Sequence, residues 1–330
     1  MRARTAAACG IVAALAIAAI FLAFTPPVDD FDPLNPYWNG ISGASSELKI
    51  RRSTTISEIL SGPTSASPPA TTALLIIGPD APFGGEYIEA ARQYILGGGM
   101  IVVMDDFGTA NSLFEGLGAT VRIDGRRLLD PLYMFKTQQC PKALSASSGE
   151  IALDYASAVT GSGFSTLAES SAFSYLDTNG NGRRDEGEPE GPFAVAATAP
   201  YGAGKLVVVS DSSLMINSVA ALGNNTAFLR SVVGNRTLYL DQSHRSPSMF
   251  SQAKSAVAAA LSVLSSPEAR YLLAIGAVAI ALAVNWDSIG KDKRGKDRYD
   301  EELSRVASEH PSWDAVDLLK IQEERRKAYG

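Results

Sequence analysis

Cysteine and histidine are nearly missing, with two of each in 330 residues. Cys9 opens an apolar N-terminal run and Cys140 lies far outside it, so there is no disulfide framework. The folded part must therefore rest on its apolar core, helped at most by a metal. A basic tract is missing from the middle of the chain, and the net charge is −6. Nucleic acid is excluded as a partner on that ground. No internal repeat is present, which excludes solenoid architectures.

Two long apolar runs are present. Residues 5–24 carry no charge, and twenty helical residues rise ~30 Å, about one hydrocarbon core. Arg2 and Arg4 precede the run, and Asp29, Asp30 and Asp32 follow it. A cleaved signal peptide is the rival reading, but no clean A-x-A site follows. The second run, Tyr271 to Trp286, has aromatic residues at both ends. Lys291, Lys293, Arg294, Lys296 and Arg298 come next and mark a cytoplasmic flank. Both flanks predict one two-pass topology at the cell membrane, with both termini cytoplasmic and the middle extracellular. The middle part, 25–270, holds 24 acidic against 17 basic residues, a balance that favours cations.

Within that frame the expected parts are a membrane helix over 1–24, a stalk over 25–70, an exterior α/β domain over 71–268, a membrane helix over 269–286 and a helical tail over 287–330. The stalk reading rests on Pro, Ser and Thr content, with one ordered patch around Trp38. From Ala73 the pattern changes. Apolar runs at 73–77, 100–104 and 119–123 alternate with helical patterns at 85–96 and 109–117. This alternation predicts a doubly wound parallel sheet covered on both faces. Residues 140–176 read as an inserted or edge β part. Residues 193–198, 205–210 and 237–240 read as strands, and 214–233 and 249–264 as helices.

The most specific chemical motif runs from Asp177 to Glu188, DTNGNGRRDEGE. A hard cation of calcium's size takes six to eight oxygens at ~2.4 Å, and a twelve-residue EF-hand loop supplies them at fixed positions. Asp177, Asn179 and Asn181 stand at positions 1, 3 and 5, and Gly182 makes the sharp turn at position 6. The Arg183 carbonyl, Asp185 and Glu188 follow at positions 7, 9 and 12. Extended patterns flank the motif, so an isolated Ca²⁺ loop between strands is expected, not a paired sensor hand.

Four segments in order carry a family resemblance: Trp38–Ser42, Gly98–Gly108, the loop 177–188 with Gly191–Val195, and Gly204–Ser213. Together they resemble the membrane proteins of domain-of-unknown-function family 4350, seen mostly in archaea. The resemblance implies a flavodoxin-like fold of class I glutamine amidotransferase type. It also implies a place in a cell-envelope complex, near a MoxR-type ATPase system. Where amidotransferases carry their nucleophilic Cys and their His, this chain has Asp105-Asp106-Phe107-Gly108 and Asp211-Ser212-Ser213. The expectation is therefore a non-catalytic exterior binding or scaffold module that passes an interaction across the membrane.

One enzymatic alternative remains open, a serine hydrolase at the carboxyl edge of the sheet. Ser212 or Ser213 would be the nucleophile, His244 the base and Asp241 its orienter. The plainer reading makes these residues helix caps and a packed or solvated imidazole. Gly97–Gly99 follow a helix and precede a strand, the reverse of a phosphate cradle. Asn224 and Asn235 stand in Asn-x-Thr sequons open to glycosylation. The tail pattern at 299–309 and 312–328 predicts charged helices.

Overall fold

The computed structural model describes residues 2–53, 69–283 and 304–324, apart from 315, 318 and 322. These residues group into two compact units, Met1–Ala258 and Ala259–Gly330. The helices are α1 (Arg2–Phe24), α2 (Ser42–Leu48), α3 (Gly85–Leu96), α4 (Asn111–Leu117), α5 (Asn225–Val233), α6 (Met249–Leu264) and α7 (Pro267–Ala283). The strands are β1 (Arg51–Ser53), β2 (Thr72–Ile77), β3 (Met100–Met104), β4 (Arg122–Ile123), β5 (Arg127–Leu129), β6 (Lys142–Ser145), β7 (Gly149–Ala152), β8 (Val159–Thr160), β9 (Ser165–Ser170), β10 (Tyr175–Asp177), β11 (Ala194–Tyr201), β12 (Gly204–Val209) and β13 (Thr237–Asp241).

Nine strands form one mixed sheet in the order β1-β13-β2-β3-β12-β11-β9-β6-β7. The five from β1 to β12 run parallel. The rest are antiparallel and extend the same sheet. The apolar runs are continuous because both faces of the parallel half are covered. Ala73, Leu75, Ile77, Met100, Val102 and Met104 enter one core. Leu74, Ile76, Ile101 and Val103 enter the other. Ala44 of α2 and Phe228, Leu229 and Val233 of α5 pack on the first face. Ala91, Tyr94 and Ile95 of α3, with Leu113, Phe114 and Leu117 of α4, pack on the second. Burying a side chain such as Phe114 or Phe228 contributes about 2–3 kcal/mol before entropy is counted. Helix α3 ends where Gly97 and Gly98 donate back to the Gln93 and Ile95 carbonyls, with Gly98 at φ +94°.

Three sequence expectations change. The stalk reading fails for the described residues before 54: Ile41, Ala44 and Ile50 are buried, and β1 pairs in parallel with β13. Composition misled here, because an edge strand of three residues gives no periodic signal. The strand expected at 119–123 is only Arg122–Ile123, paired with β8 outside the main sheet. The helix expected from 214 begins at Asn225. Before it come a 3-10 turn at Ser212–Met215 and a loop held by Asn225, whose amide donates to the Leu214 and Val219 carbonyls. Residues 54–68 and the basic cluster at 291–298 lie outside the described residues.

The described residues of the two apolar runs fall on helices. Helix α1 has 23 residues, and Ile11, Leu15, Ile17, Ile20 and Phe21 are exposed along it. In the second unit α7 has 17 residues, with Tyr271, Leu272, Ile275, Val278 and Leu282 exposed. Among the described residues no helix is long and apolar enough to cross a membrane. Part of α1's side chains and all of 284–303 lie outside that set. In the tail, residues 304–309 are helical, and Trp313 stacks on His310 at 4.3 Å.

Candidate metal loop and the carboxyl edge of the sheet

Strand β10 delivers Asp177 into the loop, and β11 receives the chain after it. The Asp177 side chain is fully buried, and Glu188 is 7% exposed. Asp177 Oδ1 accepts from the Gly180 N–H at 2.7 Å, and Oδ2 from the Gly182 N–H at 3.0 Å. Gly182 sits at φ +71°, a conformation that suits glycine and lets the chain turn back. Asn179 Oδ1 accepts from Asn181 N, and Asn181 Oδ1 from Arg183 N. Both amide Nδ2 groups donate to Asp185 Oδ2, at 2.7 and 2.6 Å. These donors hold the Asp185 carboxyl below the usual carboxylate range. Glu188 Oε1 accepts from Thr178 N and Oγ1, and Oε2 from Asp185 N. The backbone thus wraps around five oxygen-bearing side chains: its own N–H groups orient Asp177, Asn179, Asn181 and Glu188, and the two asparagine amides orient Asp185.

Among the described residues no group of three or more His, Cys, Asp or Glu side chains is gathered as a metal site. The loop's three carboxylates are thus not drawn together on one point, and its donor set is a mixed one. It mixes the carboxylates Asp177, Asp185 and Glu188 with the amides of Asn179 and Asn181 and the Arg183 carbonyl, the oxygen set that suits a hard divalent cation. Residues that sequence spacing did not indicate also touch the loop. Arg127 donates to Asp177 Oδ2 at 3.2 Å and to the Gly180 carbonyl at 2.8 Å, and Gln138 donates to the Gly182 carbonyl. Arg127 lies 50 residues upstream of Asp177 and reaches it only through the β5–β10 pairing. No local pattern carries that signal.

At the carboxyl edge the proposed nucleophile and base are apart. Asp241 ends β13 and Ser212 follows β12; β2 and β3 lie between, a separation of roughly 14 Å at ~4.8 Å per strand. His244 Nδ1 bonds Asp241 Oδ2 and Ser243 Oγ, each at 3.0 Å. Its ring stacks on Phe83 at 3.9 Å and meets Tyr87 edge-on at 4.3 Å. Asp241 also takes the Tyr87 and Ser243 hydroxyls, so it works as a packing hub. Burial works against its charge, but the His244, Ser243 and Tyr87 donors outweigh it and hold its pKa low. Ser212 N donates to Asp106, which follows the adjacent strand β3. The hydrolase alternative therefore lacks its nucleophile–base contact. Cys140 donates to Asp154 Oδ1 at 3.3 Å, and burial pushes its thiol up, away from a reactive thiolate. Beside β13 lies a cavity of about 530 Å³, lined by Asp29, Asp30, Asp241, Arg245 and Lys254 among others.

The fold and the loop define an α/β domain with a mixed sheet and an oxygen-lined turn. The family "Domain of unknown function (DUF4350)" matches residues 33–233, and the chain belongs to it. That span begins within the segment expected to be a stalk. No curated protein matches the chain. Among solved structures, the mmIFT52 N-terminal domain is 14% identical over 48% of this chain and 74% of its own, with a TM-score of 0.38. A β-galactosidase from Bacillus circulans sp. alkalophilus is 11% identical over 50% of this chain and 23% of its own, with a TM-score of 0.31. The chain spans about a quarter of that enzyme. Scores this low carry no weight for fold or function.

Proposed function

We propose that this chain is a membrane-anchored, non-catalytic exterior binding or scaffold module of a cell-envelope complex, ordered by calcium. The observation that carries the calcium part is the loop Asp177–Glu188. All its ligand positions are filled, its first carboxylate is buried, and Gly182 takes the conformation that the turn needs. Exterior modules of this kind bind at ~10⁻⁴–10⁻³ M, which matches calcium outside a cell. The two anchors rest on the flanking charges of the apolar runs. The binding role rests on the missing thiol–imidazole pair and on the separation of Ser212 from His244. The flavodoxin-like, amidotransferase-type ancestry and the link to a MoxR-type ATPase system remain implications of the family resemblance.

Calorimetric titration of the full-length protein in detergent with CaCl₂ tests the reading, alongside thermal unfolding with and without chelator. Saturable one-site binding and a higher melting temperature are expected. No heat and an unchanged melting temperature would reduce the loop to a surface turn. Co-purification from native membranes should return a partner protein, and repeated recovery of the chain alone would count against the scaffold role.

A further inference from the structure

The antiparallel β5–β10 pair sets Arg127 directly opposite Asp177. The guanidinium bonds both the Asp177 carboxylate, at 3.2 Å, and the Gly180 carbonyl, at 2.8 Å. Of the loop's three candidate carboxylate ligands, Asp177 is the one it pairs with. Glu188 and Asp185 take neutral donors, Thr178, Asn179, Asn181 and a backbone N–H. One positive charge is therefore fixed by strand register at the loop's first candidate ligand position.

We infer that Arg127 is a tethered counter-cation: it holds the loop in shape without metal and weakens calcium binding, so it sets the concentration at which the loop fills. This rests on the calcium reading above. A metal ~2.4 Å from Asp177 would lie about 6 Å from the guanidinium. At that spacing, a single and a double positive charge in a water-like dielectric repel by enough to change affinity about tenfold. Water screens the guanidinium, 34% exposed, but not the buried Asp177 side chain, so the water-like value gives the smallest effect expected. The same bonds to Asp177 and Gly180 stabilise the metal-free turn. The arginine thus lowers affinity from the metal-free side as well.

Calcium titration of the full-length wild type, Arg127→Gln and Arg127→Lys in detergent tests this, with melting temperatures measured in chelator. Arg127→Gln should bind calcium more tightly, by about tenfold or more, and melt earlier in chelator. Arg127→Lys keeps the charge and should stay near wild-type affinity. If wild type binds and Arg127→Gln binds equally or less tightly, the inference falls and the calcium reading stands. If neither binds, both fall. Should Arg127→Gln be unfolded in chelator, calcium must restore its circular dichroism. Failure to do so would overturn the metal's taking over the arginine's part.

Discussion

Asp177 and Glu188 each order two backbone N–H groups of the loop, and Asp177 stands at the first candidate ligand position. Asp177→Ala should abolish calcium binding in calorimetry, and an unchanged affinity would sink the assignment. A second group of carboxylates acts on stability. Burial pushes Asp105, Asp106 and Asp211 above their ordinary value of 3.8; Asp105 adds repulsion at Asp106, and Asp106 adds it at Asp211. An acid whose pKa rises on folding stabilises the fold fully below its ordinary value. That contribution is lost as pH rises through the raised value. Asp106→Asn removes one such acid and keeps an acceptor for Ser212. Urea unfolding should therefore show the variant gaining on wild type as pH rises above about 4. Parallel profiles for the two proteins would refute the cause. The loop's candidate ligands can be picked out residue by residue because their spacing is local. Arg127 cannot, because strand register, not spacing, brings it there.

At the scale of elements, β2, β3, β12 and β13 were readable as apolar runs because both faces are covered and no polar alternation interrupts them. What failed was whatever depends on distant partners. Strand β1, Arg-Arg-Ser, is a strand only because β13 stands beside it. The stretch before α5 has helical spacing, yet Asn225 holds it open. Oδ1 of that residue accepts from Ala152 N at 2.8 Å, and Nδ2 donates to the Ala152, Leu214 and Val219 carbonyls. The side chain is fully buried and pins the loop to edge strand β7. Asn225→Ala leaves these groups unpaired and should cost on the order of 3 kcal/mol in urea unfolding. A loss under about 1 kcal/mol would mean that water or a shifted backbone replaces the amide.

For the molecule as a whole, the two-anchor reading predicts that the chain stays in the membrane pellet after alkaline carbonate extraction. Release to the supernatant would count against it. The sheet adds a constraint of timing. Strand β1 is made early and its partner late: Arg51 and Tyr239 lie 188 residues apart, while β2 and β3 are neighbours in both sequence and space. Closing so long a loop gives no reward until the far strand arrives. During synthesis the β2–β3 unit can pair first, with one flank of β2 left as a row of unmatched backbone groups until residues 237–241 emerge. A nascent chain halted before that point would present a sticky edge to its neighbours. The interval before β13 arrives is therefore when this edge is open to wrong pairing.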